Sequence, residues 1–383
     1  MTAIDAFGDL DQHASVRGLS LPRDFGAPVS AHAMAHAARS IECDAVAYLS
    51  NFENHPGAVS TLAAGRALWG NAPALLQRVR DPILLARTLR TRGCAVPKVA
   101  VGPAEAQRAK AGSRAGTAEA VPYGEDCGRW LVKPLASGGG HRVRPWRRGA
   151  RLPRGCYAQE LVDGTPGSVV FVAAGGHAVP LGVSCQLVGE SAFGAAGYRY
   201  CGSILAAAGD AQFARDEALV EAACALATTV AGEFGLVGVN GIDFVARDGV
   251  PYAIEVNPRW SASMELLERT YGLSVFGAHA AACVAGVLPE FDLMQVRRDA
   301  GAAGKAVVFA RRDVVTGDTR AWLPGNDVDV GAATVRDIPH RGERIPAGRP
   351  VCTVFATGLD AATCHAALVR RAELVYADLT GWE

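Results

Sequence analysis

The stretch from Gly241 to Arg259, GIDFVARDGVPYAIEVNPR, limits the fold most, because it reads as two apolar strands joined by a polar turn. Asp243 and Glu255 stand equally far from Gly249. A turn centred on that glycine would set them directly opposite each other, with Cβ atoms about 5 Å apart and Asn257 on the same face. A two-residue turn at Asp248-Gly249 would instead pair Asp243 with Ile254 and send Glu255 to the other face. Convergence of the three oxygen-bearing side chains therefore requires an odd loop or a bulge. Two carboxylates and an amide on an apolar hairpin repel one another and resist burial unless a cation compensates. Hard oxygen ligands suit Mg2+ carried with the phosphates of a nucleotide. Arg259, just past Asn257, adds a charge that does not titrate and suits a transferring phosphoryl group.

A second signal lies upstream. Trp130 to Gly140, WLVKPLASGGG, is a strand that delivers Lys133 and then three glycines, Gly138, Gly139 and Gly140. Glycine lets backbone N–H groups approach an anion, and lysine supplies a point charge for phosphate oxygens. The lysine precedes the glycines and no helix opens after them, so this is not the P-loop order. Alone, the pattern fits a glycine-rich turn beside a surface lysine equally well, and Arg142, Arg144, Arg147 and Arg148 read as a solvated face.

Around these two motifs the 383-residue chain has room for two or three domains. Lys+Arg and Asp+Glu each number 38, which gives no bulk attraction to nucleic acid or anionic lipid. No stretch approaches the ~18 apolar residues of a membrane span. Asp5, Asp9 and Asp11 interrupt the order of a signal peptide, so a cytoplasmic protein is expected. The 10 cysteines form no CxxC or His/Cys ligand pair and read as small buried apolar residues. Ser30 caps a helix toward Ile41, and 45–50 reads as a buried strand. Asp81-Pro82 opens a helix that Gly93 closes, and 103–127 reads as a linker. Strands follow at 157–162, 168–174 and 182–188, then a helix from Phe213 to Phe234 ended by Gly235, strands at 239–246 and 251–256, and a helix capped by Ser274. From Lys305 on, short strands at 306–309 and 351–355 suggest a small β-rich lobe.

Asp243, Glu255, Asn257 and Arg259 in this spacing, with Lys133 and the glycine loop upstream, resemble the ATP-grasp family of carboxylate-amine ligases over roughly residues 45–290. The set is similar to that of biotin carboxylase, with Asp243 where that enzyme has Glu, and to that of D-alanine-D-alanine ligases. The resemblance implies an α+β ATP-grasp fold: an N-terminal α/β unit over 1–97, an ATP-clasping body over 98–295 with a hinge near 160–164, and a β-rich C-terminal lobe over 296–383. It implies that ATP binds through Lys133 and the Gly138–Gly140 lid. Glu160 would take the adenine amino group, the backbone at Leu161 and Val162 the ring, and Asp163 the ribose. Asp243, Glu255 and Asn257 would hold two Mg2+, a role Mn2+ could also fill. The family's first ATP lysine, expected near Asp81, is missing, and Arg80, Arg87 and Lys98 all stand as replacements.

Residues 45–93, including Glu53-Asn-His-Pro56 and Leu68-Trp-Gly-Asn71, are similar to the start of a carboxylase-related group of ligases. Some members of that group accompany one-carbon carrier cofactors of the methanofuran or tetrahydromethanopterin type. The resemblance therefore implies a ligase with small-molecule carboxylate and amine substrates, with Arg259 and Lys133 as its catalytic cations. No nucleic acid or membrane partner is implied, and a homodimer is compatible with it. Beside the γ-phosphate end that the resemblance implies, Tyr198, Arg199, Ser203, Ser261 and Ser263 stand as candidate substrate contacts. A bicarbonate-activating enzyme and a nucleotide-binding regulatory module without turnover are the competing readings.

Overall fold

A computed structural model describes residues 1–49, 51–101, 129–147, 150–210, 212–323 and 334–382. The expected linker, with Cys127, and Arg148 lie outside the described residues.

The N-terminal unit pairs parallel strands Ala45–Ala47 and Ala67–Trp69 against helices Ala31–Ala38 and Pro56–Ala63. Ser30 caps the first helix by accepting the Ala33 N–H at 3.1 Å. The strand expected over 45–50 stops at Ala47. Asp81 accepts from Ile83 and Leu84 to open the helix Pro82–Thr91.

The body holds two antiparallel sheets. A four-stranded sheet runs Val99–Val101, Cys156–Glu160, Trp130–Pro134, Arg144–Pro145. An eight-stranded sheet runs Val250–Asn257, Gly238–Arg247, Thr165–Ala174, His177–Val188, Tyr200–Leu205, Ala302–Phe309, Pro350–Gly358, Val335–Arg336. Along Thr165–Ala174, Val169 and Phe171 pack under helix Asp216–Phe234, while Val170 and Val172 pack under helices Ala262–Tyr271 and Val275–Ala285. A strand buried on both faces needs a continuous apolar run, which this segment has.

The strands of the C-terminal region extend this same sheet, since Ala302–Phe309 pairs with Tyr200–Leu205. That region also ends in a helix, Ala361–Thr380, whose Leu368, Ala372 and Val375 pack on Val308 and Val354. The sequence reading did not anticipate this helix. The fold is α+β.

The hairpin resolves the register question. Asp248 and Gly249 have φ of 53° and 81°, the mirror-image turn of a tight two-residue hairpin. Pairing runs from Arg247 with Val250 to Phe244 with Ala253. It then shifts by one residue at Ile254, so that Asp243 faces Glu255 and Gly241 faces Asn257. The turn alone would have separated the carboxylates; the bulge restores them to one face.

Candidate active site

The opposed carboxylates have different surroundings. Asp243 accepts from Gln186 Nε2 and from Asn257 Nδ2, both at 2.9 Å. Burial, then the charge of Glu255, pushes its carboxyl above the usual range. Burial acts the same way on Glu255, but Arg80, Lys133 and Arg259 outweigh it and hold Glu255 below that range. Arg80 pairs with Glu255 and also donates to Val256 O at 3.0 Å, Asn54 Oδ1 at 2.9 Å and Ser137 O at 3.2 Å. Arg80 thus ties the hairpin, the N-terminal unit and the root of the glycine loop together.

Lys133 is 8% exposed, not the surface lysine of the simpler sequence reading. Its Nζ donates to Gln159 Oε1 at 3.1 Å and lies 5.8 Å from the Tyr157 ring centroid. Burial works against its charge, yet Tyr157 and Glu255 more than offset that and keep the ammonium above its ordinary value. Lys133→Ala is expected, by leaving Glu255 with less positive charge beside it, to lower stability by ~1–3 kcal/mol. Urea unfolding checks this expectation.

Lys133, Tyr157, Gln159, Ile254, Glu255 and Arg80 line one cavity between the two sheets. Successive residues of a strand point to opposite faces, so Gln159 enters this cavity and Glu160 does not. The Glu160 carboxylate instead accepts the Lys98 N–H at 3.0 Å. Asp163 is exposed and pairs with Arg129. At the expected hinge the Leu161 N–H bonds Arg129 O at 2.7 Å, and Val162 is buried. Of the three replacements for the missing lysine, Arg80 lines the cavity, whereas Arg87 and Lys98 do not.

The glycine loop is seated on the next candidates. Gly140 has φ of 71°, and a Cβ there would lie 1.7 Å from Tyr198 O, so no side chain fits. The Tyr200 N–H bonds Gly139 O at 3.1 Å. Arg199, however, turns away, donating to Gly348 O at 2.6 Å and lying 4.9 Å from the Phe309 ring centroid. Ser203 is fully buried with its hydroxyl 2.9 Å from Tyr200 Oη. Ser261 and Ser263 sit with their hydroxyls 3.3 Å apart where helix Ala262–Tyr271 begins. Gln159, Gln186, Arg80 and Glu53 went unassigned or undecided in the sequence. Strand parity with Tyr157 could have found Gln159; the others depend on contacts across the fold.

The donors and acceptors fit a magnesium nucleotide. Among the described residues, Arg80 Nε and Arg259 Nε are buried donors with no hydrogen-bond partner, a need that phosphate oxygens meet. Also among the described residues, no three His, Cys, Asp or Glu side chains form a metal cage. Asp243, Glu255 and the Asn257 amide are instead a partial set, of the kind that shares Mg2+ with phosphates.

Residues 79–263 match the ATP-grasp domain family. The biotin carboxylase domain of Hydrogenobacter thermophilus 2-oxoglutarate carboxylase, solved with MgADP and bicarbonate, is similar at TM-score 0.65 and 13% identity, over 97% of this chain and 82% of that one. L-amino acid ligase from Bacillus licheniformis is similar at TM-score 0.60 and 14% identity, over 94% and 86%. Rhizobium etli pyruvate carboxylase is similar at TM-score 0.64 and 16% identity over 89% of this chain, which spans only 31% of that chain. Identities this low speak to fold. No curated protein matches the sequence.

Proposed function

The chain carries an ATP-grasp domain over residues 79–263, and from that premise we propose that it is an ATP-dependent carboxylate-amine ligase. The reading rests chiefly on one observation: Asp243 and Glu255 face each other with Arg80, Lys133 and Arg259 acting on Glu255. In this reading the adenine enters the cavity beside Gln159 and meets the backbone of Glu160 to Val162. Lys133 and Arg80 take the phosphates, and the Gly138–Gly140 loop closes over them. Asp243, Glu255 and Asn257 would hold two Mg2+, which supply charge against the transferring oxygens.

The substrate carboxylate attacks the γ-phosphorus and ADP leaves. The amine then attacks the carbonyl of the acyl phosphate, forming the amide C–N bond as phosphate departs with the C–O electron pair and takes up the proton that the nitrogen sheds. Arg259 stabilises the transferring group, and the loop keeps water from the intermediate. The finer form of the proposal is amino-acid addition to a one-carbon carrier cofactor, supported by the resemblance of residues 45–93.

Val162→Ala should be mild, whereas Val162→Pro should abolish nucleotide binding by removing the N–H offered to adenine. Titration with MgADP checks this; a tolerant proline variant would remove the hinge from the site. The function itself is tested by ADP and phosphate release across carboxylate and amine pairs, beginning with glutamate and aromatic amines. Release that needs both partners supports the ligase, release with bicarbonate alone favours carboxylase-type activation, and none with any pair favours the regulatory module.

A further inference from the structure

The N-terminal unit reaches the end of the catalytic hairpin. Asn71 Nδ2 donates to Pro258 O at 3.0 Å and to Asn240 Oδ1 at 2.9 Å, and Asn71 Oδ1 accepts the Val237 N–H at 2.9 Å. Tyr48 Oη donates to Asn71 O at 2.8 Å, with Pro258 O at 3.3 Å. Pro258 lies between Asn257 and Arg259, so these bonds fix the backbone that carries both side chains. The short turn Phe52–Asn54 then delivers two side chains. Asn54 accepts from Arg80, and Glu53 Oε1 pairs with Arg259 Nη2 at 2.8 Å.

The Glu53 side chain is 1% exposed and that of Arg259 9%. A carboxylate so deeply buried is costly unless its charge is used, and a single N–H···O contact leaves Glu53 Oε2 and Arg259 Nε without partners. The remaining guanidinium contacts run to Trp260 O at 2.8 Å and Asn257 Oδ1 at 3.4 Å. Glu53 therefore holds one edge of the guanidinium and leaves its Nε donor free.

We infer that Glu53 is a positioning residue for Arg259, through which the N-terminal unit becomes part of the γ-phosphate site. This rests on the nucleotide reading above. An arginine has many rotamers, and one already held in place loses less freedom when it meets the phosphoryl group.

The readout is the ratio of affinities for MgAMP-PNP and MgADP, measured by calorimetry, since only the first carries a γ-phosphoryl group. The wild type should favour MgAMP-PNP. Glu53→Ala should lose about tenfold of that preference while MgADP affinity stays within about twofold, and Glu53→Gln, whose amide oxygen still accepts from Arg259, should keep it within about threefold. General loss of stability would lower both affinities together. Glu53→Ala leaves the buried Arg259 without its ion-pair partner. If that variant fails to fold, Glu53→Gln added to Arg259→Leu carries the test and should change the ratio no further than Arg259→Leu alone. An unchanged or increased preference in Glu53→Ala, or a further fall in the double variant, overturns the positioning role. A wild type that binds neither nucleotide overturns the nucleotide reading and this inference together.

Discussion

Glu255→Gln is expected to bind MgATP nearly as well as the wild type and to turn over orders of magnitude more slowly. Glutamine keeps the size and one carbonyl oxygen, so Arg80 retains an acceptor while the negative charge proposed to be shared with the cations disappears. That charge matters most when the γ-phosphoryl group is in flight, so the loss falls on the transition state more than on the bound ground state. Single-turnover ADP formation at saturating Mg2+ measures it. A variant rate within about threefold of wild type, ~0.65 kcal/mol of barrier, would mean that Glu255 serves the fold through its pair with Arg80 and not the cations.

Arg80→Leu should lower stability by about 1–3 kcal/mol at neutral pH, because it takes from the partly buried Glu255 carboxylate the largest of the positive charges that oppose its burial and leaves only Lys133 and Arg259. The sign of the pH dependence follows from the surroundings of Glu255. With Arg80 in place its folded carboxyl titrates below the ordinary 4.5, so its stabilising contribution is present above 4.5 and is lost as pH falls through the lower folded value. In the variant only Lys133 and Arg259 still oppose burial, so the carboxyl titrates higher than in the wild type, and its protonation relieves the weakened pairing. The deficit relative to wild type should therefore be widest at neutral pH and narrow as pH drops through the ordinary carboxylate range. Urea unfolding at a series of pH values tests this; a deficit independent of pH would show that Arg80 stabilises by packing alone.

The local signals were legible because neighbouring residues determine them. Ser30, Asp81 and Ser274 cap the helices they precede, and Gly235 ends its helix with φ of 68°. The demand for either an odd loop or a bulge near Gly249 was also readable, because side-chain alternation leaves no other way to bring Asp243 and Glu255 together. Continuity of the large sheet into Ala302–Phe309 was not, since strand partners distant in sequence leave no local trace. Helix Ala361–Thr380 was missed even though Asp360 caps it by accepting the Thr363 N–H at 2.7 Å. The family resemblance alone assigns Glu160 to adenine, whereas strand parity puts Gln159 on the Lys133 and Tyr157 face. Arg80 and Glu53 gain their roles only when the N-terminal unit docks, bringing residues far apart in the chain to Glu255 and Arg259.

The central claim, carboxylate activation by ATP, is tested most directly by following oxygen. With the carboxylate of a productive substrate pair labelled with 18O, attack of that carboxylate on the γ-phosphorus and later capture by the amine must leave one labelled oxygen in the released phosphate. The account predicts singly labelled phosphate and ADP in equal amounts, by mass spectrometry. Unlabelled phosphate, or release of AMP and pyrophosphate, would contradict it.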